Sequence, residues 1–155
     1  MIVDTSKHIQ AKLLTGDSSY VPNYIFVEYR NVQDPNSTVS DVVSESDTIE
    51  HYNNLLTDTD YIAVPISIKP VYEYDENTDK YTVTYSTVIA GNTAGVNGLD
   101  FTTTSNSLIY SFGLVTRVPT TYGHEDILFA RTVLPDTKQI LKATNDMYIS
   151  WKLDL

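Results

Sequence analysis

From Met147 to Leu155 every second residue is apolar: Met147, Ile149, Trp151, Leu153 and Leu155 fall on one side, and Tyr148, Ser150, Lys152 and Asp154 on the other. A period of two is the pattern of a half-buried β-strand, so the sequence predicts a strand that reaches its last residues. Burying such a stripe contributes several kcal/mol, at about 1.5–3 kcal/mol for each large apolar side chain. The same period returns over Tyr61–Tyr74, through Ile62, Val64, Ile66 and Ile68 to Tyr72 and Tyr74, and over Tyr81–Ile89, through Tyr81, Val83 and Tyr85. The polar run Asp75-Glu76-Asn77-Thr78-Asp79-Lys80 between them predicts a β-hairpin. Pro65 and Pro70 remove ladder donors from its first arm, which predicts an edge strand or a bulge.

Further strands are expected at Asn23–Arg30, Leu108–Thr116 and Ile127–Leu134, with Gly113 marking a bulge. Helix signals are confined to two places. Asp47-Thr48-Ile49-Glu50 has the form of a capping box ahead of Tyr52, Asn53 and Leu56, while Ser6–Leu14 has Ile9 and Leu13 four apart and is ambiguous. Long polar loops are expected at 31–40, 90–99 and 119–125. The fold class read from this pattern is mainly β, an antiparallel β-sandwich or open barrel with one or two short helices. The 155 residues form one β-rich domain, 1–155, large enough to hold a core without staples.

Composition excludes several chemistries. With no Cys there is no disulfide, thiolate nucleophile or thiolate metal site. Twenty acidic against ten basic residues give a net charge of −10, which disfavours nucleic acid and anionic lipid. No run of about 18 apolar residues and no leader-like start is present, so a soluble, unprocessed chain without membrane contact is expected. The acid excess is local. No basic residue occurs between Arg30 and Lys69, where Asp34, Asp41, Glu45, Asp47, Glu50, Asp58 and Asp60 fall. Such a stretch is either a solvated face or an acidic docking surface, and both stay open.

No catalytic residue, cofactor or metal site is assigned. The three His are His8, His51 and His124, and the chain has no Gly-x-Ser-x-Gly elbow. His124-Glu125-Asp126 is the most reactive-looking local cluster but reads as a turn feeding a strand. Asp58-Thr59-Asp60 and the Asp75–Asp79 turn offer carboxylates without the spacing of a calcium loop. Gly91-Asn92-Thr93-Ala94-Gly95 lacks the Lys of a phosphate loop. A non-enzymatic protein is expected.

Two segments resemble known sequences. Leu13-Leu14-Thr15-Gly16 followed by Val21-Pro22-Asn23-Tyr24-Ile25-Phe26-Val27-Glu28-Tyr29 resembles the opening of small structural proteins of tailed bacteriophages. The run from Ile127-Leu128-Phe129-Ala130-Arg131 through Lys138 to Ile149-Ser150-Trp151-Lys152-Leu153 is similar to their close. Together the segments cover about a third of the chain. The resemblance implies a virion component of the tail, baseplate, neck or capsid surface, located in the particle. Such a component works by assembly with other virion proteins and as a symmetric homo-oligomer. The candidate interface residues are Asp41, Glu45 and Asp47 of the acidic stretch, Arg131, which interrupts an apolar strand and is expected to pair with an acid, and Trp151. The last stands on the terminal strand, whose edge a neighbouring subunit could extend. The alternative is a carbohydrate- or receptor-binding module in which Tyr20, Tyr29, Tyr52 and Tyr122 are stacking platforms.

Overall fold

The computed structural model describes residues 1–31, 42–56, 59–91, 93–99, 107–134 and 145–155. Among the described residues seven strands form two antiparallel sheets: β1 (Tyr24–Asn31), β2 (Thr59–Pro65), β3 (Ile68–Asp75), β4 (Lys80–Ile89), β5 (Ser107–Thr120), β6 (Gly123–Val133) and β7 (Met147–Asp154). Sheet A has the order β2-β1-β5-β6, and sheet B the order β3-β4-β7. Helices are short: α1 (Ser6–Leu14), a 3-10 turn at Ser18–Tyr20, and α2 (Glu50–Asn53). The chain is mainly β, as its periodicity predicts.

Alternation decides which face each residue serves. In β1, Ile25, Val27 and Tyr29 join Ile62 and Val64 of β2, Ile109 and Leu114 of β5, and Ile127 and Phe129 of β6. Across from them stand Tyr85 and Ile89 of β4 with Ile149 and Leu153 of β7, so one core lies between the two sheets. Helix α1 closes onto this core through Ile9, which is fully buried, and Leu13. That burial resolves the ambiguous Ser6–Leu14 segment as helix. The opposite phase, Phe26, Tyr61, Val115 and Leu128, makes a second core on the outer face of sheet A, covered by Val3 and Tyr52. Phe26 stacks on Tyr61 at 4.9 Å and meets Tyr52 edge-on at 5.2 Å. Such pairs add about 0.5–1.5 kcal/mol each beyond the area they bury.

The long first arm expected over 61–74 is two strands in different sheets. Pro65 ends β2, the amide of Ile66 turns back to the carbonyl of Asn23 at 2.8 Å, and the chain resumes in sheet B as β3. Both prolines act as expected: β2 and β3 are edge strands, and the β3–β4 register slips between Ile68 and Val71, around Pro70. The loop expected at 119–125 is instead a tight hairpin, in which Thr120 pairs Gly123 across Thr121-Tyr122. Gly123, at φ +148°, supplies backbone freedom there that side-chain-bearing residues rarely use.

Gly113 does not sit in a bulge. The register shifts fall elsewhere, with Tyr110 of β5 the extra residue against β1 and Phe129 of β6 the extra residue against Leu114 and Val115. A Cβ at Gly113 would run into the Tyr52 hydroxyl, so this glycine makes room for the side chain that caps the second core. The capping box is also absent. The N-cap of α2 is Ile49 without a side-chain cap, and Asp47 accepts from the amide of Ser44 at 3.0 Å instead.

Candidate functional site

The outer face of sheet A carries the largest concentration of charge in the interior. Glu28 lies on the same phase of β1 as Phe26, between apolar neighbours, and is fully buried. Its Oε1 accepts from His51 Nε2 at 2.7 Å and from Ser111 Oγ at 2.9 Å, and its Oε2 from Arg30 Nε at 3.1 Å. Arg131, paired across β5–β6 with Gly113, is 1% exposed. It places Nη1 3.3 Å from Asp47 Oδ2 and Nη2 3.5 Å from Glu28 Oε1.

Burial, the largest influence on Glu28, pushes its carboxyl up. The hydrogen bond and charge of His51, the charge of Arg30 and the Ser111 hydroxyl outweigh it, and the group is held below its ordinary value. An ionised Glu28 fixes the imidazole tautomer, because Nε2 must carry the proton at 2.7 Å. The 3.0 Å approach of Arg131 Nη2 to the same nitrogen is then a contact between two donors that share one carboxylate. Burial also raises the Tyr52 phenol far above its usual range.

A hollow of about 470 Å³ borders this cluster, lined in part by Arg30, Asp47, Glu50, His51 and Thr59. An imidazole oriented by a carboxylate beside a hollow is the geometry of a general base. Among the described residues no hydroxyl hydrogen-bonds this ring, and both charges nearest it are already paired. What the cluster visibly does is fasten the 44–56 segment to sheet A through Asp47 and His51.

The candidate interface residues are thus spread out. Asp41 lies outside the described residues. Glu45 is exposed, and its carbonyl accepts from the amide of Asp4 at 2.7 Å. Asp47 is half-buried and is a partner of Arg131, so it is not part of a purely solvated acidic face. Arg131 pairs with acids as expected, but within its own chain. Trp151 is half-buried against the inter-sheet core, opposite Tyr85. Sequence reading passed over Glu28, although a carboxylate inside Ile-Phe-Val-Glu-Tyr is the same signal that drew attention to Arg131.

Asp60 and Asp126 are structural as well. Asp60 is buried and accepts from the amides of Tyr61, Asn97 and Leu99 at 2.8, 3.0 and 3.1 Å. Gly95 packs so closely on it that a side chain there would strike the carboxylate. Asp126 holds Arg117 through two bonds of 2.8 and 3.0 Å, and Glu125, its neighbour in β6, points to the opposite face by the pleat. Among the described residues no group of three metal-ligating side chains converges. None of the described helices is long and apolar enough to cross a membrane.

The four sheet edges are treated differently. At β2 the amide of Val96 bonds the carbonyl of Tyr61 and lays the 95–99 loop along the strand. At β6 the bridge Ile2↔Ala130 and the bond from Val3 N to Phe129 O cover the edge. Edge β3 is blunted by Lys69, Pro70 and the register slip. Edge β7 carries Lys152 and Asp154 but, among the described residues, has no proline, register slip or covering segment. Its ladder with β4 runs without a shift from Thr82↔Asp154 to Ile89↔Met147, and among the described residues its other side pairs with no strand. Sheet B also carries exposed apolar groups at Val71, Tyr72, Tyr81, Val88, Tyr148 and Leu155.

Comparison with protein-family models, with curated proteins and with solved structures finds no match.

Proposed function

We propose that the chain is a non-catalytic structural subunit that works by protein–protein assembly, in the setting to which its terminal motifs point, the virion of a tailed bacteriophage. The observation that carries this reading is the edge of β7, which pairs with no strand among the described residues. Soluble proteins blunt or cover sheet edges because an open one recruits further strands, and this chain does so at β2, β3 and β6. A regular, uninterrupted edge beside exposed apolar side chains is the feature expected of an association surface. The interior supports the same reading: Glu28, Arg131, Asp47 and Asp60 are occupied in holding loops to sheets, which suits a rigid building block.

Sugar stacking loses half of its platforms, since Tyr29 and Tyr52 are buried core residues and only Tyr122 of the four is fully exposed. The test has two arms. Light scattering of the purified protein is expected to give a discrete oligomer, and antibody against it to decorate tailed particles. A monomer that leaves particles unlabelled and binds a glycan array would replace assembly with recognition.

A further inference from the structure

The sequence of β7 is compatible with itself. We propose that β7 pairs antiparallel with β7 of a second copy of this chain, about a two-fold axis at Trp151, to form one continuous six-stranded sheet. The inference rests on the assembly reading and names its partner and register.

Residues directly opposed in an antiparallel pair share a face, so the two-fold must pass through a residue position. An axis at Ser150 opposes Asp146 to Asp154, and an axis at Lys152 opposes that lysine to itself. Like charges directly opposite are destabilising. Within β7 an axis at Ile149 pairs only Met147 to Trp151 and one at Leu153 only Lys152 to Asp154, against Tyr148 to Asp154 for an axis at Trp151. The axis at Trp151 uses the whole strand. On the outer face it sets Tyr148 against Asp154 and Ser150 against Lys152, and on the inner face Ile149 against Leu153 and Met147 against Leu155.

The inner face adds an independent fit. Leu155 is 61% exposed although its amide, bonded to Tyr81 O at 2.9 Å, still continues the ladder. A largely apolar cavity of about 340 Å³ opens beside the other half of β7, lined by Ile109 and Phe112 of sheet A, by Leu134 just past β6 and by the β7 residues Met147 to Ser150. Under the Trp151 axis the exposed Leu155 of each copy is laid against Met147 of the other, at the mouth of that cavity. Knob and hollow lie on one strand and exchange by symmetry, as an isologous interface requires.

The chain has no Cys, so single cysteines report register directly. A mixture of Tyr148→Cys and Asp154→Cys proteins is expected to form a mixed disulfide on mild oxidation, since directly opposed positions lie within disulfide reach. A mixture of Tyr148→Cys and Lys152→Cys is not. Leu155→Asp, at an exposed position, is expected to weaken the dimer roughly tenfold or more in sedimentation while leaving the circular dichroism spectrum intact. A dimer indifferent to Leu155→Asp, or one that cross-links through positions 148 and 152, overturns this interface and leaves assembly by another surface standing. A protein that is monomeric at every concentration and absent from particles overturns the assembly reading and this inference together.

Discussion

Arg131→Met removes the guanidinium while keeping much of the stem. Asp47 then loses its cation, and Glu28 keeps His51 and Arg30 but loses the second guanidinium. Breaking a buried ion pair from one side costs about 3–5 kcal/mol. Asp47 retains 20% of its side-chain exposure and can rehydrate, and Glu28 stays paired, so the expected loss is about 2–4 kcal/mol. With a urea slope of about 2 kcal/mol/M, the middle of the usual range, the unfolding midpoint falls by about 1–2 M. Asp47→Asn alone should cost less. The double variant should cost less than the sum, because the two residues share one interaction. An unfolding free energy for Arg131→Met within about 0.5 kcal/mol of the parent would show that the cluster fastens nothing.

The pH dependence of stability has a definite sign. Glu28 is held below its ordinary 4.5, so near and below that pH the unfolded chain binds more protons. Its contribution is full above about pH 5 and is lost as the pH falls through the folded value. In urea titrations Glu28→Gln should therefore differ from the parent most at neutral pH and least in acid, whereas a constant gap would contradict the assignment. Gly113→Ala should destabilise by about 1–3 kcal/mol in thermal melts, with partial rescue by Tyr52→Phe, which removes the hydroxyl in the way. Asp60→Asn should cost about 1.5–3 kcal/mol and open the 93–99 loop to proteolysis, because its charged acceptor serves three amides. Unchanged cleavage would mean that the loop is held by other contacts.

Local patterns carried most of the architecture. The alternation over Met147–Leu155 and the Asp75–Lys80 turn identify β7 and the β3–β4 hairpin because both depend only on near neighbours. The passage from sheet A to sheet B at Pro65–Ser67 was hidden, since apolar alternation continues through it and periodicity does not say which sheet receives a strand. Thr121-Tyr122 reads as part of a longer loop because its flanks, Val118–Thr120 and His124–Asp126, are polar or Pro-containing, and cross-strand pairing makes them strand. The site was less legible. Arg131 stood out as a cation in an apolar strand, but its partners at Asp47 and Glu28 come from distant segments that only the folded sheet brings together. That β7 lacks a neighbour among the described residues is likewise a property of topology: a sequence can show that a strand is amphipathic, not that the other three edges are covered or blunted.

The most direct test of the account is sedimentation velocity of the intact protein over a concentration series, with Leu155→Asp run alongside. The account predicts a monomer–dimer equilibrium in the parent that shifts strongly toward monomer in the variant. Two superimposable monomer profiles at all concentrations would contradict it.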